Sequence, residues 1–303
     1  MKIIVTGGAG FIASHIVDRY ISLGNDVVVI DNLATGFKKN LNTKAKFYKA
    51  DICNTEKINE IFKKEKPDMV NHHAALIEVV ASVKNPMPTL DVNVNGTANL
   101  LRASGENKVK KFIFASTGGA IYGAPKKIPA DEVTKEAALS PYGLSKHLGE
   151  ISIDFYARMY NFEYLIFRYA NVFGPRQNPK GEAGVVAIFG GMIKKGIRPT
   201  IFGDGTKTRD YVFVSDIVEA NMLAIKKGKN QIVNLGWGKE ITDQKIFDAI
   251  AKYLNFKQKV KYAPFRNGEV LRIAITNKKA KKILGWSPKA SFEDGIRKTL
   301  ETI

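Results

Sequence analysis

The sequence predicts an α/β protein: a doubly wound parallel sheet followed by a smaller C-terminal α/β region. Three observations carry this. An apolar strand runs straight into a glycine turn at the N-terminus. Strand-like and helix-like segments then alternate through the first half, which implies parallel strands covered on both faces. The length, 303 residues, suits one large domain or two smaller ones.

The elements follow in order. Ile3-Ile4-Val5 is apolar, long enough for a buried strand and too short for a helix. Gly8-x-Gly10-x-x-Ala13 follows at once. Ser14 to Leu23 then carries apolar residues at helical spacing, and Gly24 supplies a stop. Val27 to Ile30 is a second, β-branched strand ending at Asp31, 21 residues after Gly10. Strand, glycine turn, helix, strand and acid form the fingerprint of a Rossmann-type dinucleotide site. The glycines allow backbone to approach a pyrophosphate, and the helix N-terminus offers N–H groups and the positive end of its dipole. Asp31 would accept hydrogen bonds from the adenosine ribose, favouring NAD over NADP. Asn32 and Leu33 come next, with no arginine to hold a 2′-phosphate.

Lys46 to Lys49 reads as a short strand leading to Asp51-Ile52. Lys57 to Lys64 reads as a helix with Ile58, Ile61 and Phe62 inward. Asp68 to Asn71 is a strand running into His72-His73-Ala74-Ala75. Pro86 to Gly105 reads as one long helix, and Lys111 to Ala115 as a strand ending at Ser116-Thr117. Ligands of such sheets sit at the carboxyl ends of the strands, where Ala74, Ala75 and Thr117 fall. His72 and His73 point to opposite faces of a strand. No further His, Cys or carboxylate cluster completes a metal site, so none is expected. Packing, or support of groups that touch the cofactor, is the expected role of both histidines.

Composition narrows the function classes. The chain is 45% hydrophobic and 25% charged, and it contains no apolar run long enough to span a membrane. No signal peptide is read at the N-terminus, and the single cysteine, Cys53, excludes an intrachain disulfide framework. A cytoplasmic location is expected. The net charge of +18 comes from scattered lysine pairs such as Lys63-Lys64 and Lys194-Lys195, without a basic tail or an arginine stripe. That argues against a nucleic-acid partner and for modest steering of a phosphate-bearing substrate.

The chemistry centres on Tyr142 and Lys146, four residues apart and so on one helix face. A nearby ammonium favours a phenolate, so the pair is expected to lower the tyrosine pKa and move a proton. Thr117, 25 residues before Tyr142, offers a hydroxyl to the same pocket. With the glycine motif, Asp31, Thr117, Tyr142 and Lys146 in this order, the chain resembles the extended short-chain dehydrogenase/reductase family. The second half narrows the resemblance. Phe167 to Gln177, Gly181 to Phe189, Ile201 to Val212, Arg266 to Glu269 and Leu284-Gly-Trp286 look like the nucleotide-sugar members, most of all the prokaryotic UDP-glucose 4-epimerases.

Carried over residue by residue, the resemblance implies a cofactor site for NAD. Gly7, Gly10, Phe11 and Ile12 would line the pyrophosphate, Asp31 and Asn32 the adenosine ribose, and Asp51 and Ile52 the adenine. Ala74, Ala75 and Asn93 would lie along the cofactor, with Tyr142, Lys146 and Tyr169 at its nicotinamide end. Asn171, Val185, Thr200 and Phe202 match nucleotide-sugar contacts, Arg209 and Arg266 the diphosphate clamp, and Glu269 an acid near the uridine ribose. The implied reaction oxidises the sugar at C4, turns the ketone over and reduces it from the other face, exchanging UDP-glucose and UDP-galactose. The alternatives are 4-epimerisation of UDP-glucuronate or a UDP-N-acetylhexosamine, or reduction of an NDP-sugar.

The chain departs from the pattern in places. Ala13 stands for a third glycine, and Thr117 for a common serine. Gly118-Gly119 stands where sugar 4,6-dehydratases carry Asp-Glu, which argues against dehydration. Ile273 is expected at the pocket position that limits N-acetylated sugars. The resemblance further implies an NAD-binding domain of residues 1–174 with 211–234 returning to it, and a nucleotide-sugar domain of 175–210 and 235–303. It also implies a homodimer, joined through helices around Ala98–Leu101 and Leu148–Arg158.

Overall fold

The structure, a computed structural model, describes residues 1–181 and 184–303. Glu182 and Ala183 of the Gly181–Phe189 motif lie outside the described residues. The first half runs β1 (Lys2–Thr6), α1 (Phe11–Ser22), β2 (Asp26–Asp31), β3 (Lys46–Lys49), α2 (Thr55–Glu65), β4 (Met69–His72), α3 (Val79–Lys84), α4 (Pro86–Leu90), α5 (Gly96–Glu106), β5 (Lys111–Thr117), α6 (Pro141–Tyr160) and β6 (Glu163–Tyr169). The second half runs β7 (Asn171–Phe173), α7 (Val185–Lys194), β8 (Thr200–Phe202), β9 (Thr208–Arg209), β10 (Tyr211–Phe213), α8 (Val214–Ala224), β11 (Gln231–Leu235), β12 (Ile241–Thr242), α9 (Asp243–Tyr253), β13 (Lys261–Ala263), α10 (Lys278–Leu284) and α11 (Phe292–Leu300).

Seven strands form one sheet in the order β11-β6-β5-β4-β1-β2-β3, with every pairing parallel. The order reverses between β1 and β4, which opens a crevice at the carboxyl ends of the strands there. Alternate residues face opposite layers. Ile3 and Val5 join the core that holds Val29 and Leu165, whereas Ile4 joins the core that holds Val28, Phe112 and Ile166. Burial on both faces explains why these strands read as unbroken apolar runs. A third core unites α7, α9 and α11 with β8 and β10 through Phe189, Ile246, Ile296, Ile201 and Phe213.

Local chemistry sets the helix ends that matter. Ser140 caps α6, its Oγ accepting from the Gly143 N–H at 3.2 Å, and Pro141 occupies the first helical position. Asn161, with φ of 57°, ends it. In contrast, α1 begins at Phe11, earlier than periodicity predicts, and no side chain caps it. Its first N–H groups therefore face the crevice without an intrahelical partner.

The single helix expected over Pro86–Gly105 is interrupted by a π turn at Asp91–Asn95. The turn presents Asn93 inward. Its Oδ1 accepts from the Leu76 N–H at 2.8 Å, and its Nδ2 donates to Leu76 O and Ser145 Oγ, each at 2.9 Å. One amide thus holds the segment after β4 against α6, a use of π turns that recurs at functional sites.

Candidate active site

The carboxyl ends of β1, β2, β4, β5 and β6 open onto one cleft of about 980 Å³. At one end lie Gly7, Gly10, Phe11 and Ile12, with Asp31 and Asn32 beside them. Gly7 has φ of +71°, and a Cβ there would stand 2.7 Å from the Ala74 N. Only glycine lets β1 turn this close to the end of β4. Asp31 is buried and accepts from the Ala9 N–H at 3.0 Å and the Leu33 N–H at 2.8 Å, so its carboxylate also braces the glycine turn. Asn32 donates to Asp51 at 2.9 Å, and Asp51 and Ile52 line the same wall.

Ala74 and Ala75 continue the wall behind a polar latch. Thr6 Oγ1 accepts from the N–H groups of His73 and Ala74, each at 3.2 Å, and meets His72 Nδ1 at 2.7 Å. Two accepted bonds leave the Thr6 proton for His72 Nδ1, so His72 Nε2 donates to Thr97 Oγ1 at 2.9 Å. Burial keeps this imidazole neutral, its pKa well below the usual value. His73 pairs through Nε2 with the Tyr169 hydroxyl at 3.1 Å, and Asn221 donates to that hydroxyl at 3.0 Å. Both histidines serve packing and orientation.

Asn93 is the one sequence-predicted cofactor residue that does not reach the cleft wall; it is buried behind it. Spacing could not reveal this, because the π turn shifts the phase of the helix.

Thr117, the last residue of β5, and Tyr142 and Lys146, in the first turns of α6, meet midway along the cleft. Lys146 Nζ donates to Ala115 O at 2.8 Å and lies 4.8 Å from the Phe114 ring centroid. Burial draws the Lys146 amine down to about 7, and the Glu150 carboxylate opposes that shift. Burial pushes the Tyr142 phenol up to about 12, against a smaller downward pull from the Thr117 hydroxyl. The expectation that the ammonium lowers the phenol is thus reversed in the protein alone. Desolvation disfavours both charged forms, the phenolate and the ammonium, at once.

The far end of the cleft is cationic. Arg209, Arg266 and Lys207 line it, with Asn171, Val185, Thr200, Phe202 and Glu269. Arg266 pairs with Glu269 at 2.9 Å and stacks 4.1 Å over Phe202. Glu269 also holds the buried Lys207 at 2.9 Å, and Lys207 reaches Asp243 at 3.3 Å. Arg209 donates to Thr208 O at 2.8 Å and has no carboxylate partner among the described residues. Two guanidinium forks at one end of a cleft suit a diphosphate. Val270 lines the cleft, whereas Ile273, buried in the same core, is not among the residues that line it.

Beneath the site runs an ion-pair network that sequence reasoning missed. Glu150 accepts from Ser116 Oγ at 2.5 Å and from Arg168 at 3.0 and 2.6 Å. Arg168 also donates to Glu136 at 2.6 Å and to the Tyr122 hydroxyl at 2.9 Å. Glu136, His147 and Glu150 bring ligand atoms within 4.8 Å of one another. Both carboxylates are already satisfied by the Arg168 guanidinium. The available signal was Glu150 one turn after Lys146.

The pattern of the NAD dependent epimerase/dehydratase family matches residues 3–236. A UDP-glucose 4-epimerase of Mycolicibacterium smegmatis is 39% identical over 99% of this chain and 98% of its own length. The crystal structure of a Thermotoga maritima UDP-glucose 4-epimerase with UDP-glucose is 45% identical, covers 100% of this chain and 98% of that one, and superposes with a TM-score of 0.98. That of a Thermus thermophilus UDP-glucose 4-epimerase in complex with NAD is 39% identical, with coverages of 100% and 98% and a TM-score of 0.95.

Proposed function

The chain belongs to the NAD dependent epimerase/dehydratase family, and from that premise we infer that it interconverts UDP-glucose and UDP-galactose at C4. The observation that carries this is the meeting of Thr117, Tyr142 and Lys146 in one cleft with the Arg209 and Arg266 guanidiniums. The residues present fit NAD. The Gly7 turn leaves no room for a side chain, the uncapped start of α1 suits a pyrophosphate, and the Asp31 carboxylate suits ribose hydroxyls. Bound there, NAD supplies the hydride acceptor and donor for C4 and, when oxidised, a positive charge that favours the Tyr142 phenolate.

The chain's own residues do the rest. Tyr142 takes the proton of the sugar 4-hydroxyl and returns it at the end of the cycle. Thr117 donates to O4 while it is a ketone. Lys146 supplies the positive charge that steadies the phenolate. Arg209 and Arg266 hold the diphosphate, and Glu269, paired directly with Lys207, would meet the nucleoside ribose. Charged anchors grip only the nucleotide end, which leaves the ketone free to turn over and present its other face. The glycines at 118 and 119 offer no acid or base for loss of water.

Residues 1–174 with 211–234 would form the NAD-binding part, and 175–210 with 235–303 the nucleotide-sugar part. Support comes from β11, which pairs with β6 in the main sheet. A homodimer would form through α6. Leu144, Ile151, Phe155 and Met159 leave it 45, 53, 53 and 62% exposed on one side. Leu100 and Leu101 of α5 are fully buried, so the expected apolar face there turns inward. Among the described residues no helix is long and apolar enough to cross a membrane, and a cytoplasmic site of action is consistent with the single free cysteine. The test is a panel of UDP-galactose, UDP-glucuronate and UDP-N-acetylgalactosamine, without added NAD, resolved by chromatography. Conversion of UDP-galactose fastest supports the reading; conversion of another sugar alone overturns it.

A further inference from the structure

Glu150 is a buried carboxylate that the proton-transfer chemistry does not use directly, yet it joins every element that does. It lies one helical turn beyond Lys146 on the same face of α6. It accepts from Ser116, the neighbour of Thr117 on β5, and from Arg168, the neighbour of Tyr169 on β6. We propose that Glu150 is a positioning residue that locks α6 in register with the strand ends bearing Thr117 and Tyr169 and sets a carboxylate charge one helical turn from the Lys146 amine. The proposal rests on the reading of Tyr142 and Lys146 as the proton-transfer pair.

The charges around the pair favour this. From β4 the imidazoles of His72 and His73 face Lys146 and are kept neutral by burial, with the Lys146 charge adding to that effect. From β5 Lys146 meets the Ala115 carbonyl and the Phe114 ring, neither of which is titratable. On α6 itself its neighbours are Tyr142, neutral through burial, and Glu150. Among the described residues, the helices packed against α6 give neither Lys146 nor Glu150 a charged hydrogen-bond partner. Glu150 is therefore the carboxylate that opposes the cost of burying the ammonium. Arg168 in turn keeps Glu150 from being an unpaired buried charge, and Glu136 and the Tyr122 hydroxyl each accept a further guanidinium N–H. A carboxylate fixed by both strands also transmits their spacing to the helix, so that a shift of α6 breaks bonds to β5 and β6 together.

The sign of the effect is fixed. Removing a negative charge beside an ammonium makes its proton easier to lose. Glu150→Gln keeps the shape and an acceptor for Ser116 while deleting the charge. The experiment follows the Lys146 Cε resonance by NMR in protein with selectively labelled lysine, assigned with Lys146→Met, across a pH series at matched cofactor content. Glu150→Gln lowers the Lys146 midpoint by at least about one pH unit, tenfold in its ionisation constant. The alkaline limb of the turnover profile moves to lower pH with it. Glu136→Gln, which alters the same arginine away from Lys146, leaves the midpoint at the wild-type value. Glu150→Asp retains the charge but withdraws it, and lowers the midpoint by a smaller amount; it serves as well where Gln does not fold. An unmoved Lys146 midpoint in both Glu150 variants overturns the proposal, as does an equal shift in Glu136→Gln. The titration needs no substrate, so failure of the proposed sugar chemistry would show separately, as inactivity on the UDP-sugar panel.

Discussion

Replacing Arg168 by methionine isolates the buried ion pair under the site. The Arg168 side chain is 1% exposed and that of Glu150 is 3%. The substitution removes bonds to Glu150 at 3.0 and 2.6 Å, to Glu136 at 2.6 Å and to Tyr122 at 2.9 Å. Glu150 is left with Ser116 Oγ and no cation in contact. Breaking a buried pair from one side costs about 3–5 kcal/mol. Glu136 adds little, because at 28% exposure it can turn to water. Methionine occupies much of the arginine stem, so a cavity contributes little. Equilibrium unfolding in urea should therefore show a loss of about 3–5 kcal/mol with an unchanged slope. Changing Glu150 to leucine in the same chain should recover most of it, since an apolar exchange of a whole buried pair is near neutral or stabilising. A single variant within about 1 kcal/mol of wild type, the range of a surface pair, would refute the reasoning. So would a double variant no better than the single.

The remaining predictions concern the cleft. Tyr142→Phe should lower turnover by about 10²–10⁴-fold, the usual contribution of a positioned acid–base group, while bound NAD, released by denaturation and measured by absorbance, stays at the wild-type amount per chain. Gly7→Ala places a left-handed residue at φ of +71° with its Cβ 2.7 Å from the Ala74 N. About 1–2 kcal/mol of backbone strain and a displaced β4 end should cut NAD retention at least about tenfold by calorimetric titration; full retention would show that the turn tolerates a side chain. Lys146→Met should abolish turnover yet stabilise the fold. The folded-state amine sits at about 7 rather than 10.5, so burial of its charge destabilises the wild type fully below pH 7, and the penalty fades as pH rises toward 10.5. The thermal-shift advantage of the variant should shrink over that window, and an advantage independent of pH would mean that the amine is not the cause.

Much of this was written locally in the chain. Ile3-Ile4-Val5, the glycine turn and Val27–Ile30 ending at Asp31 are contiguous signals, and each is an element of the sheet and cleft. The strand-helix alternation likewise carried the parallel order. What local signals could not carry was set by distant partners. Asn93 looks like any polar residue in a long helix until Leu76 and Ser145 come to meet it across the π turn. Leu100 and Leu101 were as consistent with an outer face as with the core that receives them. Ile273 was expected to border a substrate and is instead packed in the main core. The direction of the Tyr142 shift depended on burial by strands, loops and helices that no four-residue spacing reports. The return of β10 to β7, pairing Tyr211 with Asn171, brings Arg209 back to the cleft from across the chain.

The central claim is that Tyr142, Thr117 and Lys146 serve a reversible oxidation at the sugar C4, with the hydrogen carried on a cofactor that never leaves. UDP-galactose labelled with deuterium at C4, incubated in ordinary water with the purified protein and no added NAD, tests it most directly. Mass and NMR analysis of the UDP-glucose formed should find the deuterium still on C4, with no net NADH accumulating. Product in which that position carries hydrogen from the solvent would mean that a carbon–proton exchange inverts the centre, and would contradict the account.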